Sequence, residues 1–185
     1  SFPVPIADSL EVLCERVLQG PDPFLAFVED ARAVLAYCVE QQWVREGRVA
    51  VCGISRFAYF AFRLLASDDR LRVGAGFAPV TDWRWYDTHY TERYLGSRPS
   101  DDEAYTRTSL VEGADRLVRP LLLIHGLADD NVIAAHTLQL STALLAAGRP
   151  HEVLPLSGVT HMTPQEVVAE NLLLHQLAFI RRSLR

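Results

Sequence analysis

Three residue types in the 185-residue chain could together carry out acyl transfer. Ser55 lies in "VCGISRFAYFAF", where an apolar run ends in Gly-Ile-Ser and a helical-looking apolar run follows. Asp129 and Asp130 lie in "HGLADDNV", and His161 lies in "SGVTHMTP". A serine hydroxyl is a weak nucleophile until a neighbouring imidazole takes its proton. That imidazole needs a carboxylate to fix its tautomer and stabilise its cation. Each residue also has a duller role. Serine is common where a strand turns into a helix, either aspartate suits the cap of a following helix, and a loop histidine is often simply solvated. What raises the set above its members is their order, Ser then acid then His, and the places where they fall.

Those places follow from the hydrophobic pattern. "RVAVCGI", Arg48 to Ile54, is short, apolar and rich in β-branched residues, as in a buried strand. Further strands are predicted at Arg72 to Val80, in "RPLLLIHG" ending at Gly126, and from His151 in "HEVLPL". Helices are predicted from Asp8 to Leu18, from Asp22 with Pro23 at the first helical position, from Arg56 to Ser67, and from Ala134 to Ala147. In the second of these, Phe24, Phe27, Val28, Ala31, Val34, Leu35, Cys38 and Val39 recur at helical spacing and should share one buried face. Thr163-Pro164-Gln165-Glu166 has the form of a capping box and should open a last helix reaching about Arg182. Strands alternating with helices imply a mostly parallel sheet covered on both faces. Sites in such sheets lie on loops at the carboxyl ends of the strands. Ser55, the Asp129-Asp130 pair and His161 all fall on such loops.

Composition narrows the function classes. Hydrophobic residues make up 49% and charged residues 22%, and the formal net charge is −5, so no basic footprint for nucleic acid is present. No apolar run has the length of a membrane span, and the opening "SFPVPIADSL" has no signal-peptide pattern. Cys14, Cys38 and Cys52 sit in apolar surroundings and read as buried free thiols, which fits a reducing, cytoplasmic setting. No cysteine pair has metal spacing, and hydrolysis by the serine set needs neither metal nor organic cofactor. His89, His125, His136, His151 and His175 lack the triad context and read as structural or exposed.

At the level of longer motifs the sequence resembles the prolyl oligopeptidase family of serine peptidases, and within it the dipeptidyl peptidase IV branch of the α/β-hydrolase superfamily. The likeness is strongest from Ala78 to Met162. It rests on "APVTDWRWYDTHYTERYLG", on "LLLIHGLADDNV" and on "THM" at the histidine. From Phe2 to Phe77 the chain is more similar to small α/β-hydrolase esterases. The resemblance implies Ser55 as nucleophile, Asp129 as the triad carboxylate and His161 as general base, then general acid. It implies that the backbone N–H of Arg56 serves the oxyanion hole, and that Tyr86 and Tyr90 wall a small pocket for a proline ring. It places Val80, Trp83, Asn131 and Val132 at lining or supporting positions.

The pattern also departs from that family. Phe57 stands where a second glycine is usual in the G-x-S-x-G turn, and its side chain either opens the turn or points outward. No HGGG-like motif precedes Ser55, so the strands look like the carboxyl-terminal half of the usual sheet, in one catalytic domain over residues 1–185. The strand at Arg48 would then form an exposed edge, to be covered by the N-terminal helices, by a second copy of the chain in a homo-oligomer, or by residues outside this sequence. Three functions follow as expectations: a peptidase cleaving after proline through an acyl-enzyme, an esterase acting on small esters, or a folded fragment without catalysis.

Overall fold

The computed structural model describes residues 22, 24–45, 47–97, 102–163 and 165–185. The expected helix from Asp8 to Leu18, Cys14, and the prolines at positions 23 and 164 lie outside the described residues. In chain order the main elements are α1 (Leu25–Glu40), β1 (Val49–Ile54), α2 (Arg56–Ser67), β2 (Leu71–Phe77), α3 (Thr88–Leu95), α4 (Asp102–Thr108), β3 (Leu121–Gly126), α5 (Ala135–Ala146), β4 (His151–Leu156) and α6 (Glu166–Ser183). Short 3-10 turns cover Trp83–Trp85 and Ala114–Arg116.

The four strands pair in the order β1-β2-β3-β4, and every pair is parallel. Parallel neighbours need crossover connections. α2 provides the first and α5 the last. Between β2 and β3 the chain makes a long excursion that contains α3 and α4. Periodicity did not reveal those two short helices, because both carry mixed polar and aromatic residues.

Apolar side chains divide between the two faces of the sheet. On one face Leu121 and Leu123 join Phe24, which precedes α1, with Tyr59, Phe62 and Leu65 of α2 and Leu140 and Leu144 of α5. On the other, Val73, Ala75, Phe77, Leu122 and Ile124 pack with Phe179 of α6. Gly74 and Gly76 let α2 sit against β2 without intervening side chains. A Cβ at Gly76 would lie 2.4 Å from Cζ of Phe62, and one at Gly74 would lie 2.8 Å from Cδ2 of Leu65.

Several local expectations need correction. α1 starts at Leu25 with Phe24 as its N-cap and no side-chain cap, so Asp22 does not cap the helix as expected; its carboxylate accepts from the Phe24 N–H at 3.1 Å, in the turn before the helix. Phe27 and Val34 remain exposed, so the buried stripe of α1 is narrower than its spacing suggests. α6 begins at Glu166 behind Gln165, with no side-chain cap, so the Thr163 capping box does not form. Cys52 is exposed and Cys38 half-buried, and both thiols are free; neither fits the expectation of burial. β1 ends the strand order and exposes Cys52 and Ile54. No helix among the described residues is long and apolar enough to cross a membrane.

Candidate active site

Ser55 occupies the single residue between β1 and α2, with φ 57° and ψ −128°. This backbone conformation is costly for a residue with a Cβ, by about 1–3 kcal/mol, and persists only where the surroundings impose it. Here they do. The Ser55 N–H donates to the Phe77 carbonyl at 2.8 Å, and the Ser55 carbonyl accepts from Ala58 N–H at 3.1 Å and Val80 N–H at 3.4 Å. The end of β2 and the first turn of α2 thus hold the serine at the apex of a sharp turn. The Arg56 N–H lies at the start of α2, among amides that the helix itself cannot satisfy.

The tightness of that turn falls on Gly53 rather than on residue 57. A Cβ at Gly53 would lie 2.5 Å from the carbonyl carbon and oxygen of Phe57 and from the nitrogen of Ala58. Phe57 turns its side chain outward and is 56% exposed, so its bulk does not open the turn. Ala58 is fully buried.

The acid follows β3. Asp129 is buried, and its Oδ1 accepts from the N–H groups of Asn131 and Val132, each at 2.9 Å. Its Oδ2 lies 2.8 Å from Nδ1 of His161, on the loop after β4. An ionised carboxylate only accepts, so Nδ1 of His161 carries the proton and Nε2 is left as the free base. Asp130 is exposed. Geometry therefore selects Asp129 from the adjacent pair. Ser55, Asp129 and His161 all stand at the carboxyl edge of the sheet. Among the described residues Asp129 and His161 are hydrogen-bonded, whereas no hydrogen bond joins the Ser55 hydroxyl to His161. Serine–imidazole bonds of this type are frequently long before substrate binds.

Two residues that carried no role in the sequence reading help to build this edge. Gly126, the last residue of β3, lets the histidine loop approach: a Cβ there would lie 2.2 Å from the Val159 carbonyl oxygen and 2.6 Å from that of Thr160. The Val159 carbonyl accepts from Ala128 N–H at 3.0 Å, tying the acid loop to the histidine loop. His125 is buried one residue earlier. Its Nε2 lies 2.7 Å from the Val132 carbonyl and 3.6 Å from Oδ2 of Asp129, and its Nδ1 lies 2.7 Å from the Thr137 hydroxyl. Burial pushes its pKa down, which keeps the ring neutral beside the acid. The only sequence signal for either residue is their place directly before the acid loop.

The aromatic segment divides into buried and half-buried rings. Trp83 is fully buried and stacks on Phe24 with centroids 4.7 Å apart and on Tyr90 at 5.7 Å. Tyr86 meets Tyr90 edge-on at 5.8 Å, and both are half-buried. Val80 and Val132 are fully buried, so they support the site from the core, and Asn131 is exposed beside Asp129. The excursion carrying the rings is pinned by Asp82, whose Oδ1 accepts from the backbone of Arg84 at 2.9 Å and whose Oδ2 accepts from the Ser109 hydroxyl at 2.8 Å. Burial opposes ionisation of Asp82, yet its bonds from Arg84 and Ser109 prevail and hold its pKa below the usual carboxylate range. Thr81 joins the excursion to α5 through His136, its N–H donating to Nδ1 at 3.2 Å and its hydroxyl to the His136 carbonyl at 2.9 Å.

A cleft of about 430 Å³ lined by Gly47, Arg48, Arg72, Arg119 and Arg185 lies at the opposite, amino end of the strands. It takes no part in this arrangement. Among the described residues no cluster of His, Cys, Asp and Glu is suited to hold a metal ion. What the carboxyl edge can do chemically is accept a proton at Nε2 of His161 with the resulting cation stabilised by Asp129.

Comparison with known proteins identifies the family and the fold. The model of the prolyl oligopeptidase family matches residues 26–185. Dipeptidyl peptidase 8 of Mus musculus is 32% identical over 162 residues, covering 85% of this chain and 18% of the relative. Dipeptidyl peptidase 4 of Sus scrofa is 31% identical over 159 residues, covering 84% of this chain and 21% of the relative. The crystal structure of Porphyromonas gingivalis dipeptidyl peptidase 4 superposes with a TM-score of 0.82 over 92% of this chain and 24% of that one, at 24% identity. The chain thus spans about a fifth of the length of the curated relatives it matches. The four-stranded parallel sheet with its helices is part of an α/β-hydrolase fold.

Proposed function

The chain belongs to the prolyl oligopeptidase family, and from that premise we propose that it carries the catalytic machinery of a serine peptidase that cleaves after proline through an acyl-enzyme. The observation that carries this reading is the 2.8 Å bond between His161 Nδ1 and buried Asp129, at the same sheet edge as the strained Ser55. His161 Nε2 takes the Ser55 proton as the hydroxyl oxygen attacks the scissile carbonyl. Asp129 stabilises the imidazolium that forms. The Arg56 N–H faces the developing oxyanion, an interaction worth about 3 kcal/mol in comparable sites. The imidazolium then protonates the leaving amine, and water repeats the sequence on the ester to release the acid. Tyr86 and Tyr90 offer aromatic faces to a proline ring, with Trp83 as the buried support beneath them.

The test is labelling with a serine-directed fluorophosphonate followed by peptide mapping, together with turnover of a prolyl amide. Labelling at Ser55, abolished in Ser55→Ala, and cleavage after proline are expected. Unlabelled Ser55 in folded protein would leave a fragment without catalysis. Faster turnover of p-nitrophenyl acetate than of any prolyl amide would assign the site to small esters.

A further inference from the structure

Arg56 does more at this site than present a backbone amide. Its guanidinium carbon lies 5.2 Å from the centroid of the Phe57 ring and 5.7 Å from that of Tyr90. Two aromatic faces therefore hold the cation, one of them belonging to the wall of the candidate pocket. Neither ring neutralises it. Arg63, Arg70 and Arg84 engage Asp22, Asp68 and Asp82 respectively, whereas among the described residues no carboxylate lies within ion-pair distance of Arg56. Both Arg56 and Phe57 are exposed, and they directly follow Ser55 in the chain.

We propose that the Arg56 side chain is a specificity determinant that selects peptides bearing a carboxylate side chain next to the residue held by Tyr86 and Tyr90. The planar guanidinium matches a carboxylate with two parallel hydrogen bonds, and its attachment to two rings reduces the freedom it would lose on binding. Covering Phe57 with substrate adds apolar burial at the same spot. The formal net charge of −5 and the acidic Asp129-Asp130 pair disfavour anions in general, so any preference for them must come from a local cation.

This inference rests on the peptidase reading. It is tested in the full-length protein with two pairs of proline-containing peptides, glutamate or glutamine standing just before the proline in one pair and just after it in the other. Cleavage is followed by chromatography. In at least one pair the glutamate peptide should show kcat/KM higher by about ten- to a hundredfold, the range of a charge-assisted hydrogen bond. That ratio should fall to about one in Arg56→Gln, survive in part in Arg56→Lys, and shrink in wild type at high salt. Cleavage with a glutamate-to-glutamine ratio of about one in both pairs, or a glutamate preference untouched by Arg56→Gln, overturns the role of Arg56 and leaves the peptidase reading standing. Absence of both cleavage and fluorophosphonate labelling overturns the two together.

Discussion

Replacing Gly126 by alanine tests how the acid and histidine loops are brought together. The new Cβ would lie 2.2 Å from the Val159 carbonyl oxygen, 2.6 Å from the Thr160 carbonyl oxygen and 2.7 Å from the Val159 carbonyl carbon. All three are backbone atoms, so no side-chain rotation relieves the overlap. Carbon–oxygen contacts ordinarily begin near 3.3 Å, roughly, so the Val159 carbonyl must retreat by about 1 Å. That carbonyl also accepts the Ala128 N–H at 3.0 Å, and His161 follows two residues later. Movement of a catalytic group by about 1 Å costs on the order of a hundredfold in rate. At about 1.4 kcal/mol per factor of ten, that is about 3 kcal/mol of lost transition-state stabilisation. Overpacking alone should lower stability by about 1–3 kcal/mol, which leaves room for a folded variant. The assay is the rate of fluorophosphonate labelling at Ser55 and kcat/KM on a p-nitrophenyl ester, read beside the thermal melting temperature. Labelling and turnover within about threefold of wild type, with an unchanged melting temperature, would refute the claim that this glycine sets the spacing of the two loops.

Two further perturbations read the acid and a buried histidine. Asp129→Asn keeps the shape but presents an amide to His161 Nδ1, and turnover should drop by up to about 10⁴-fold; rates equal to wild type in a folded variant would remove Asp129 from the mechanism. His136 is fully buried, and burial lowers its pKa to about 4. The unfolded chain takes up this proton near pH 6.5, roughly, so the fold loses stability as pH falls from there toward 4, and this residue adds no slope above that window. Between pH 7.5 and 5, approximately, that amounts to about 2 kcal/mol in urea denaturation. His136→Asn should flatten the dependence, and an identical pH slope in the variant would count against the assignment.

The parts of this molecule written in short-range pattern were legible in the sequence. Four apolar runs became the four strands, and α2 spans the expected Arg56 to Ser67. Strand ends are local features, so the sequence alone places the loops carrying Ser55, Asp129 and His161 on one edge. Whether the histidine takes Asp129 or Asp130 could not be read from the pattern alone, because adjacent carboxylates on a loop are equivalent until the chain's path turns one inward. The family resemblance pointed to Asp129, and the fold supplies the reason: the N–H groups of Asn131 and Val132 wrap that residue.

The same distinction separates the remaining residues. By residue type alone, Phe57 either opens the turn or points outward. Its effect depends on where the helix start meets the strand end, and that contact falls on Gly53. Trp83 and Tyr90 belong to one aromatic run, but only three-dimensional packing puts the indole in the core and leaves the phenol half-open. Cys52 sits in an apolar strand, yet among the described residues β1 pairs with β2 alone, and edge position decides exposure. The amino-acid order by itself determined the alternation of strands and helices and the chemical groups at the strand ends, since both depend on interactions between residues a few positions apart. Tertiary structure decided which groups meet, which are buried and which face solvent, since those outcomes depend on atoms brought together from opposite ends of the chain.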